Sequence, residues 1–173
     1  MTEDGYLLSK EEVQAQPKLR KWSGHMVSGE KGERAFLLYE GKKRLLLTQE
    51  DIRNLQLAKG AIGAAVSVLL RETGLTVKEL DEVILSGVLG SSIRLEQAMR
   101  IGLIPEVGKE KILPAGNAAL EGAVTLLLRK ELRQEWERTA GEVTHLELAG
   151  REDFSEFFMK AMGMDFCFAE DEI

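Results

Sequence analysis

The stretch "VILSGVLGSSI", Val83 to Ile93, places a short apolar run directly before a Gly-x-x-Gly pattern and two serines. An apolar run of this length is typical of a strand that is buried on both faces of a sheet. Gly87 and Gly90 then predict a tight turn from the strand into a helix. In open α/β sheets this position binds ligands, because backbone amides there lack partners. The same glycines also fit a turn that holds no ligand, so both interpretations stay open at this point.

Upstream of this stretch, the sequence predicts a hairpin followed by a helix. The segments "RAFLLYE" and "KRLLLTQ" are typical of two strands, and the turn between them holds Gly41, where a positive φ is accessible. Thr48 and Asp51 have the spacing of a capping box, which begins a helix that Gly74 ends. The apolar stripe expected on this helix consists of Ile52, Leu55, Ala58, Ile62, Val66 and Leu69.

Downstream of the stretch, strands and helices alternate. "RLEQAMRIGL" predicts a short helix that ends near Gly102. Just upstream of the stretch, Thr76 to Glu79 form a second capping box. "EKILPAG" and "VTHLELA" predict strands on either side of one long helix, "NAALEGAVTLLLRKELRQEWERTAG", with Asn117 as its N-cap. The apolar stripe of a closing helix consists of Phe154, Phe157, Phe158 and Met162.

These elements predict an α/β fold with a mixed, mainly parallel sheet, a leading hairpin and flanking helices. Ile84 and Leu85 are expected to be buried at the centre of the sheet. Residues 1–34 show no sustained period and are expected to be an irregular, exposed lead-in. Residues 35–168 then form the folded domain, and 169–173 form an acidic tail.

The composition excludes several classes of protein. Lys and Arg number 23 against 29 Asp and Glu, a formal charge of −6 over 173 residues, so no broad basic face is available for nucleic acid. The single cysteine, Cys167, can form neither an internal disulfide nor an iron–sulfur cluster. No apolar run approaches the ~20 residues of a membrane span. We expect a cytoplasmic protein with no membrane or nucleic-acid partner.

The glycine turn does not match the familiar phosphate-binding motifs. The chain has no G-x-x-x-x-G-K-[ST] loop and no G-x-G-x-x-G with an acidic residue about 20 residues later. KH domains clamp RNA with a Gly-x-x-Gly loop, but that loop joins two helices and needs basic surroundings. His25 and His145 are isolated, and no Ser-His-Asp arrangement is evident. The sequence therefore predicts neither a metal site nor a catalytic triad.

Separate segments of the chain together resemble a known family. "TQEDIRNLQLAKGAI", "VILSGVLGSSI", "RIGLIP", "GNAALEGA" and "FSEFFMKAM" resemble, in order and spacing, the carboxyl-terminal part of the reductive activators of corrinoid proteins. These activators are ATP-dependent, and their last domain belongs to the actin, sugar kinase and heat-shock chaperone ATPase (ASKHA) superfamily. The resemblance implies that 35–168 form the second lobe of an actin-like ATPase domain, which has a ribonuclease H-like fold.

By this resemblance, the glycine turn is the adenosine-binding element. The backbone of Gly87, Gly90 and Ser91 would lie beside the adenine and ribose of ATP, where a side chain would collide with the base. Gln56 and Lys59, three residues apart on one helix face, are second candidates for contacts with the nucleotide. On general grounds we expect Lys59 to be a solvated helix lysine rather than a nucleotide contact. The implied cofactor is ATP with Mg²⁺.

The chain departs from the family within the turn. Family members tend to have Gly-Gly-Phe-Gly followed by Asp-Pro-Glu, whereas this chain has Val88 at the second position and Arg94-Leu95-Glu96 after the turn. Val88 adds a branched side chain where the family has a glycine. We therefore expect weakened or absent nucleotide binding.

Three functions remain open on the sequence. The first is the nucleotide-binding lobe of an activator that couples ATP to the reduction of cobalt(II) corrinoids, with a corrinoid protein or a corrinoid-dependent methyltransferase as partner. The second is a docking module for the same partners that has lost ATP binding. The third is an unrelated α/β enzyme that uses the turn for a small acid or phosphate, although no acid, base or nucleophile constellation supports it.

The resemblance also implies what the chain needs from elsewhere. Neither the phosphate-binding first lobe nor the ferredoxin-like [2Fe–2S] domain of full-length activators is recognisable in the sequence. We therefore expect a fragment or truncated relative that has no complete ATPase site of its own and works with those domains. A homodimer is a further possibility.

Overall fold

A computed structural model describes residues 1–168, apart from the side chains of Val88, Leu89 and Ser91. The predicted acidic tail, 169–173, lies outside the described residues. Within them the chain is mixed α/β, as the sequence predicts, with two small sheets. The strands are β1 (Met26–Ser28), β2 (Arg34–Glu40), β3 (Arg44–Thr48), β4 (Val83–Leu85) and β5 (Ile112–Pro114). The helices are α1 (Lys10–Ala15), α2 (Gln49–Thr73), α3 (Gly87–Ser92), α4 (Leu95–Arg100), α5 (Ala118–Leu128), α6 (Arg133–Glu142) and α7 (Glu152–Ala161).

The predicted hairpin is part of a three-stranded antiparallel sheet in the order β1-β2-β3. Glu40 pairs with Arg44 at the end of the hairpin, and Gly41 begins the turn as predicted. The expected reason for this glycine is wrong, because its φ is not positive. A Cβ at Gly41 would lie 2.6 Å from the Tyr39 ring, so glycine instead leaves room for that side chain.

The segment 1–34, expected to be irregular, contains α1, a 3₁₀ turn over Arg20–His25, and β1. Ser9 and Glu12 form a capping box at the start of α1, a local signal that the search for a sustained period missed. Leu7 and Val13 are buried. The segment is therefore part of the folded structure, and the prediction of an irregular lead-in is wrong, whereas the exposure expected of it holds for most of its residues.

Helix α2 begins and ends where the sequence predicts. The Thr48 hydroxyl accepts a hydrogen bond from the Asp51 backbone N–H, and Gly74 ends the helix with φ +66°. The predicted apolar stripe is largely wrong, because Leu55, Ile62 and Leu69 are exposed. The buried face instead has many small and polar side chains, and α7 and the segment after it lie too close to Gly60 and Gly63 for a larger residue there. The buried face includes Gln56, Lys59, Gly60, Gly63, Ala64, Ser67 and Val68.

Strands β4 and β5 form a separate two-stranded parallel sheet and are not part of one larger, mainly parallel sheet. Val83 lies opposite Ile112. The prediction of a buried Ile84 is wrong, because its side chain is 62% exposed, and Leu85 is only partly buried. The physical reason is that the hydrophobic cluster packed on this pair covers one face. Its buried members are Ala98, Leu103, Ile104 and Ile112.

Two further predictions between 117 and 149 are wrong. The single long helix is broken into α5 and α6, because Arg129 leaves the helical conformation (φ −119°, ψ 89°) and a 3₁₀ turn follows at Lys130–Leu132. Asn117 does cap α5 as predicted, through its side-chain oxygen and the Leu120 N–H. Residues 143–149 form no strand. Leu146 and Leu148 pack directly against the α2–α7 cluster instead.

Other local predictions are confirmed. The Thr76–Glu79 capping box opens a 3₁₀ turn, and α4 ends before Gly102, whose φ is +66°.

None of the helices within residues 1–168 combines the length and apolarity that crossing a membrane needs.

An ion-paired cluster joins the end of α2 to the start of α7. Arg151 donates to both carboxylate oxygens of Asp153, at 2.9 and 2.8 Å, and also pairs with Glu72 of α2. The hydrogen bonds from Arg151 lower the pKa of the Asp153 carboxyl to about 2. Asp153 therefore favours the folded state as a carboxylate.

We expect Asp153→Asn to destabilise the protein at neutral pH and to have less effect as the solution becomes acidic. The stabilisation by this carboxylate is present above the ordinary Asp pKa of 3.8 and is lost as the pH falls towards about 2. Urea unfolding of wild type and variant between pH 2 and pH 7 measures the difference. Glu152→Gln, on the same first turn of α7, is the control. A gap between wild type and Asp153→Asn that stays constant across this range contradicts the assignment.

Candidate functional site

The glycine turn lies at the carboxyl end of the parallel strand pair, as predicted. Gly87 has φ +87° and begins α3 directly, and its backbone N–H donates to Gly116 O at 2.6 Å. Ala115 N donates to Leu85 O at 2.8 Å. The chain segments that leave β4 and β5 are thus tied together. The backbone N–H of Gly87 already donates to Gly116 O, so it is not available to a ligand.

The two glycines of the turn are required for different reasons. A Cβ on Gly87 would meet open space, so the residue is constrained by its positive φ alone. A Cβ on Gly90 would lie 3.0 Å from the backbone carbon of Leu85, so this glycine lets α3 approach the end of β4. The helix is therefore folded back over the strand end.

A cavity of about 240 Å³ opens beside this turn. Its lining is mostly apolar, and the Ser86 hydroxyl, which donates to Gly116 O at 3.3 Å, is the polar side chain at its edge. A mostly apolar cavity with few polar groups is typical of a small-molecule site. The lining residues are Ile62, Ile84, Leu85, Ser86, Gly90, Ile93, Leu103 and Ile104.

Lys59 is completely buried, so the expectation of a solvated helix lysine is wrong. Its side chain has 0% exposure, and Nζ donates to Ala161 O at 2.5 Å. The ammonium also lies 5.5 Å from the centre of the Phe166 ring. Burial lowers the pKa of Lys59, and the attraction of the Asp165 carboxylate partly opposes this effect.

Gln56, one helical turn earlier, is buried in the same contact. Its Nε2 donates to Asp4 O at 3.0 Å and to Met162 O at 2.9 Å. Within residues 1–168, its buried Oε1 has no hydrogen-bond partner. The amide thus links the beginning of the chain to the end of α7 and still has an unused acceptor.

The structure therefore divides the predicted site residues into two groups. Gly90 lines the cavity and Gly87 adjoins it, whereas Gln56 and Lys59 are buried against the segment after α7. The side chains of Val88 and Ser91 lie outside the described residues. The two groups are close along α2, because Ile62, three residues after Lys59, forms part of the cavity wall.

Sequence reasoning missed most of the cavity wall. Ile93, Leu103 and Ile104 were not recognised as ligand-binding residues, because their segments indicated only a family resemblance and local secondary structure. No rule of local spacing places residues 103–104 beside α2. The glycine in "RIGLIP" was the available signal, since Gly102 needs a positive φ and is crossed closely by Phe166.

The sequence of this chain matches a known family. The family model described as "C-terminal domain of RACo the ASKHA domain" matches residues 5–167. This chain belongs to that family. The match to the RACo C-terminal ASKHA family includes most of the segment 1–34, in agreement with the folded elements found there.

Named relatives of this ASKHA domain are activators or reductases of corrinoid proteins. The chain is 35% identical over 120 residues to the corrinoid activation enzyme RamQ of Eubacterium limosum, covering 69% of this chain and 20% of that protein. It is 33% identical over 115 residues to a [Co(II) methylated amine-specific corrinoid protein] reductase of Methanosarcina barkeri, covering 65% of this chain and 21% of that protein.

A solved structure confirms the fold. A reductive activator for corrinoid, iron-sulfur protein superposes with a TM-score of 0.76 over 94% of this chain, at 29% identity. The resemblance that the sequence suggested is thereby confirmed. This ASKHA domain spans 25% of that chain and about a fifth of the curated relatives.

The residues around the cavity fit the adenine base of ATP better than they fit Mg²⁺. The apolar cavity beside the side-chain-free face of Gly87 suits a planar base. Within residues 1–168, no three His, Cys, Asp or Glu side chains are grouped so that they could hold a metal ion. We therefore derive no role for Mg²⁺ in this part of the chain.

We expect Gly102→Ala to destabilise the protein more than Gly74→Ala. Both glycines have φ +66°, a conformation that costs other residues about 1–2 kcal/mol. A Cβ at Gly74 meets open space, whereas one at Gly102 overlaps the backbone oxygen of Phe166. Chemical unfolding of both variants therefore isolates the contact between residues 102 and 166. Equal destabilisation of the two variants contradicts the close contact.

Proposed function

We propose that this chain is the nucleotide-binding lobe of an activator that uses ATP in the reductive reactivation of a corrinoid protein. The observation that carries the proposal is the glycine-bounded cavity at the carboxyl ends of β4 and β5, in a chain of the RACo C-terminal ASKHA family. Membership in this family supports a nucleotide as ligand. The names of the relatives support a corrinoid protein as partner.

In this proposal the adenine ring occupies the cavity. Ile62 and Ile93 lie on its walls, and Gly90 presents backbone without a side chain. The Ser86 hydroxyl is the polar group close enough to help orient the base or ribose. Excluding water from the base by apolar side chains contributes affinity, and the few polar groups fix its orientation.

The redox chemistry is assigned outside this chain. Reduction of cobalt(II) to cobalt(I) takes one electron, and a chain with a single cysteine cannot ligate an iron–sulfur cluster alone. The remaining parts of a longer or partnered activator would supply the electron and the phosphate-binding groups. The corrinoid is substrate in this scheme, carried by a corrinoid protein or a corrinoid-dependent methyltransferase.

A docking module without ATP binding is the second candidate. Helix α5 favours it, because none of its residues is buried and its apolar side chains Leu127 and Leu128 are 72% and 78% exposed. Exposed apolar side chains of this kind are typical of surfaces that bind another protein. The presence of Val88 in the turn also favours this alternative.

The two candidates differ in whether adenine nucleotides bind in the cavity. We expect calorimetric titration to detect weak binding of ATP and ADP to the wild type. Ile62→Trp should bind them about tenfold more weakly, about 1.4 kcal/mol, because the larger side chain occupies part of the space that the base would fill. Leu69→Trp is the control, since Leu69 is exposed on the same helix and does not line the cavity.

The possible outcomes separate the candidates. Unchanged affinity in Ile62→Trp contradicts the placement of the base in this cavity. Absence of ATP and ADP binding to the wild type contradicts the nucleotide-binding function and favours the docking module.

A further inference from the structure

The last residue of α7, Ala161, and the segment that follows it to residue 168 form a strap across the polar face of α2. The carbonyl oxygens of Ala161 and Met162 accept hydrogen bonds from Lys59 and Gln56, and the Phe166 ring lies over the Lys59 ammonium. Met164 N donates to Glu3 O at 2.9 Å. The strap thus covers both polar side chains that were candidates for nucleotide contact.

The covered side chains have unused hydrogen-bonding capacity. An ammonium has three N–H donors, and within residues 1–168 Ala161 O is the one hydrogen-bond acceptor of Lys59. The buried Oε1 of Gln56 has no partner in the same part of the chain. A buried cation with incomplete hydrogen bonding is unfavourable, and burial lowers the pKa of this one. A ligand with anionic oxygens would satisfy Lys59 better than the strap does.

The strap also touches the wall of the cavity. Phe166 crosses Gly102 so closely that a Cβ there would overlap its backbone oxygen, and the next residue, Leu103, lines the cavity. Cys167 and Phe168 line a second cavity together with Ile104, which also lines the cavity beside the glycine turn. A group bound in the cavity would therefore contact Leu103, the residue next to Gly102, which the strap contacts.

We infer that residues 161–168 are a strap that closes over Lys59 and Gln56 in the ligand-free protein and opens when a nucleotide phosphate binds Lys59. The inference rests on the proposed nucleotide-binding function and adds a regulated step to it. The base enters the open cavity first, and exchange of Ala161 O for a phosphate oxygen at Nζ then releases the strap. A hydrogen bond between two opposite charges, the ammonium and a phosphate oxygen, replaces one from the ammonium to a neutral carbonyl, which favours the open state.

The single cysteine of the chain gives a direct readout. Cys167 lies in the strap and is exposed, so it can carry an environment-sensitive fluorophore. We expect ATP to change the emission, and adenosine, which has no phosphate, to bind the cavity without changing it. Lys59→Met should keep the adenosine affinity, lose the emission change and bind ATP about tenfold more weakly, the cost of one charge-assisted hydrogen bond. Arg53→Met, which removes a positive charge from the same helix, is the matched control.

Hydrogen–deuterium exchange on the unlabelled wild type tests the same opening without any variant. The Met164 amide, bonded to Glu3 O, should exchange faster with ATP than with adenosine. If ATP binds but changes neither the emission nor this exchange relative to adenosine, the opening of the strap is contradicted, and the nucleotide-binding function is not. A Lys59→Met variant that responds to ATP like the wild type also contradicts the opening of the strap. If calorimetry detects neither ATP nor adenosine binding, the proposed function fails, and the inference fails with it.

Discussion

The close approach of α2 and α7 across two glycines determines most of this structure. A Cβ on Gly60 would lie 3.0 Å from Met162 Cγ, and one on Gly63 would lie 3.1 Å from the Ala161 Cβ. Because the helices come this near, the last carbonyls of α7 lie directly over α2. Helix ends carry unpaired carbonyl oxygens that need donors. Lys59 and Gln56 donate to two of these carbonyls from the buried face of α2.

The same helix contact explains why the strap lies against the wall of the cavity. Gly63 adjoins both Phe166 and the Gly102 carbonyl, so the strap and the cavity wall meet at one point on α2. Ile62, next to Gly63, then forms part of the cavity. A larger residue at 63 would separate these parts. The small side chains of α2 thus bring two sites together on neighbouring turns of one helix.

Features with short-range causes could be predicted from the sequence. The caps at Thr48 and Asn117 were recognised because their hydrogen bonds span three residues, and the glycine turn because it directly follows a strand. The burial of Lys59 could not be recognised, since its partner Ala161 lies 102 residues away. Likewise, periodicity marked Leu55, Ile62 and Leu69 as the inner stripe, but periodicity cannot say which side α7 occupies. The apolar pattern at 143–149 wrongly indicated a strand, because Leu146 and Leu148 are partly buried against α2 and α7 without a partner strand and Val143 is exposed.

A buried lysine in this contact is hard to explain by stability alone. Apolar residues of similar length often replace buried charges at no cost, so a methionine would pack between α2 and α7 without an ammonium to desolvate. Lys59 also forms no hydrogen-bonded ion pair within residues 1–168, because its one hydrogen-bond acceptor there is a neutral carbonyl. An arrangement optimised only for the closed state would place a carboxylate within hydrogen-bond distance of Nζ. A neutral acceptor instead keeps the closed state weak enough for an anionic ligand to compete with it.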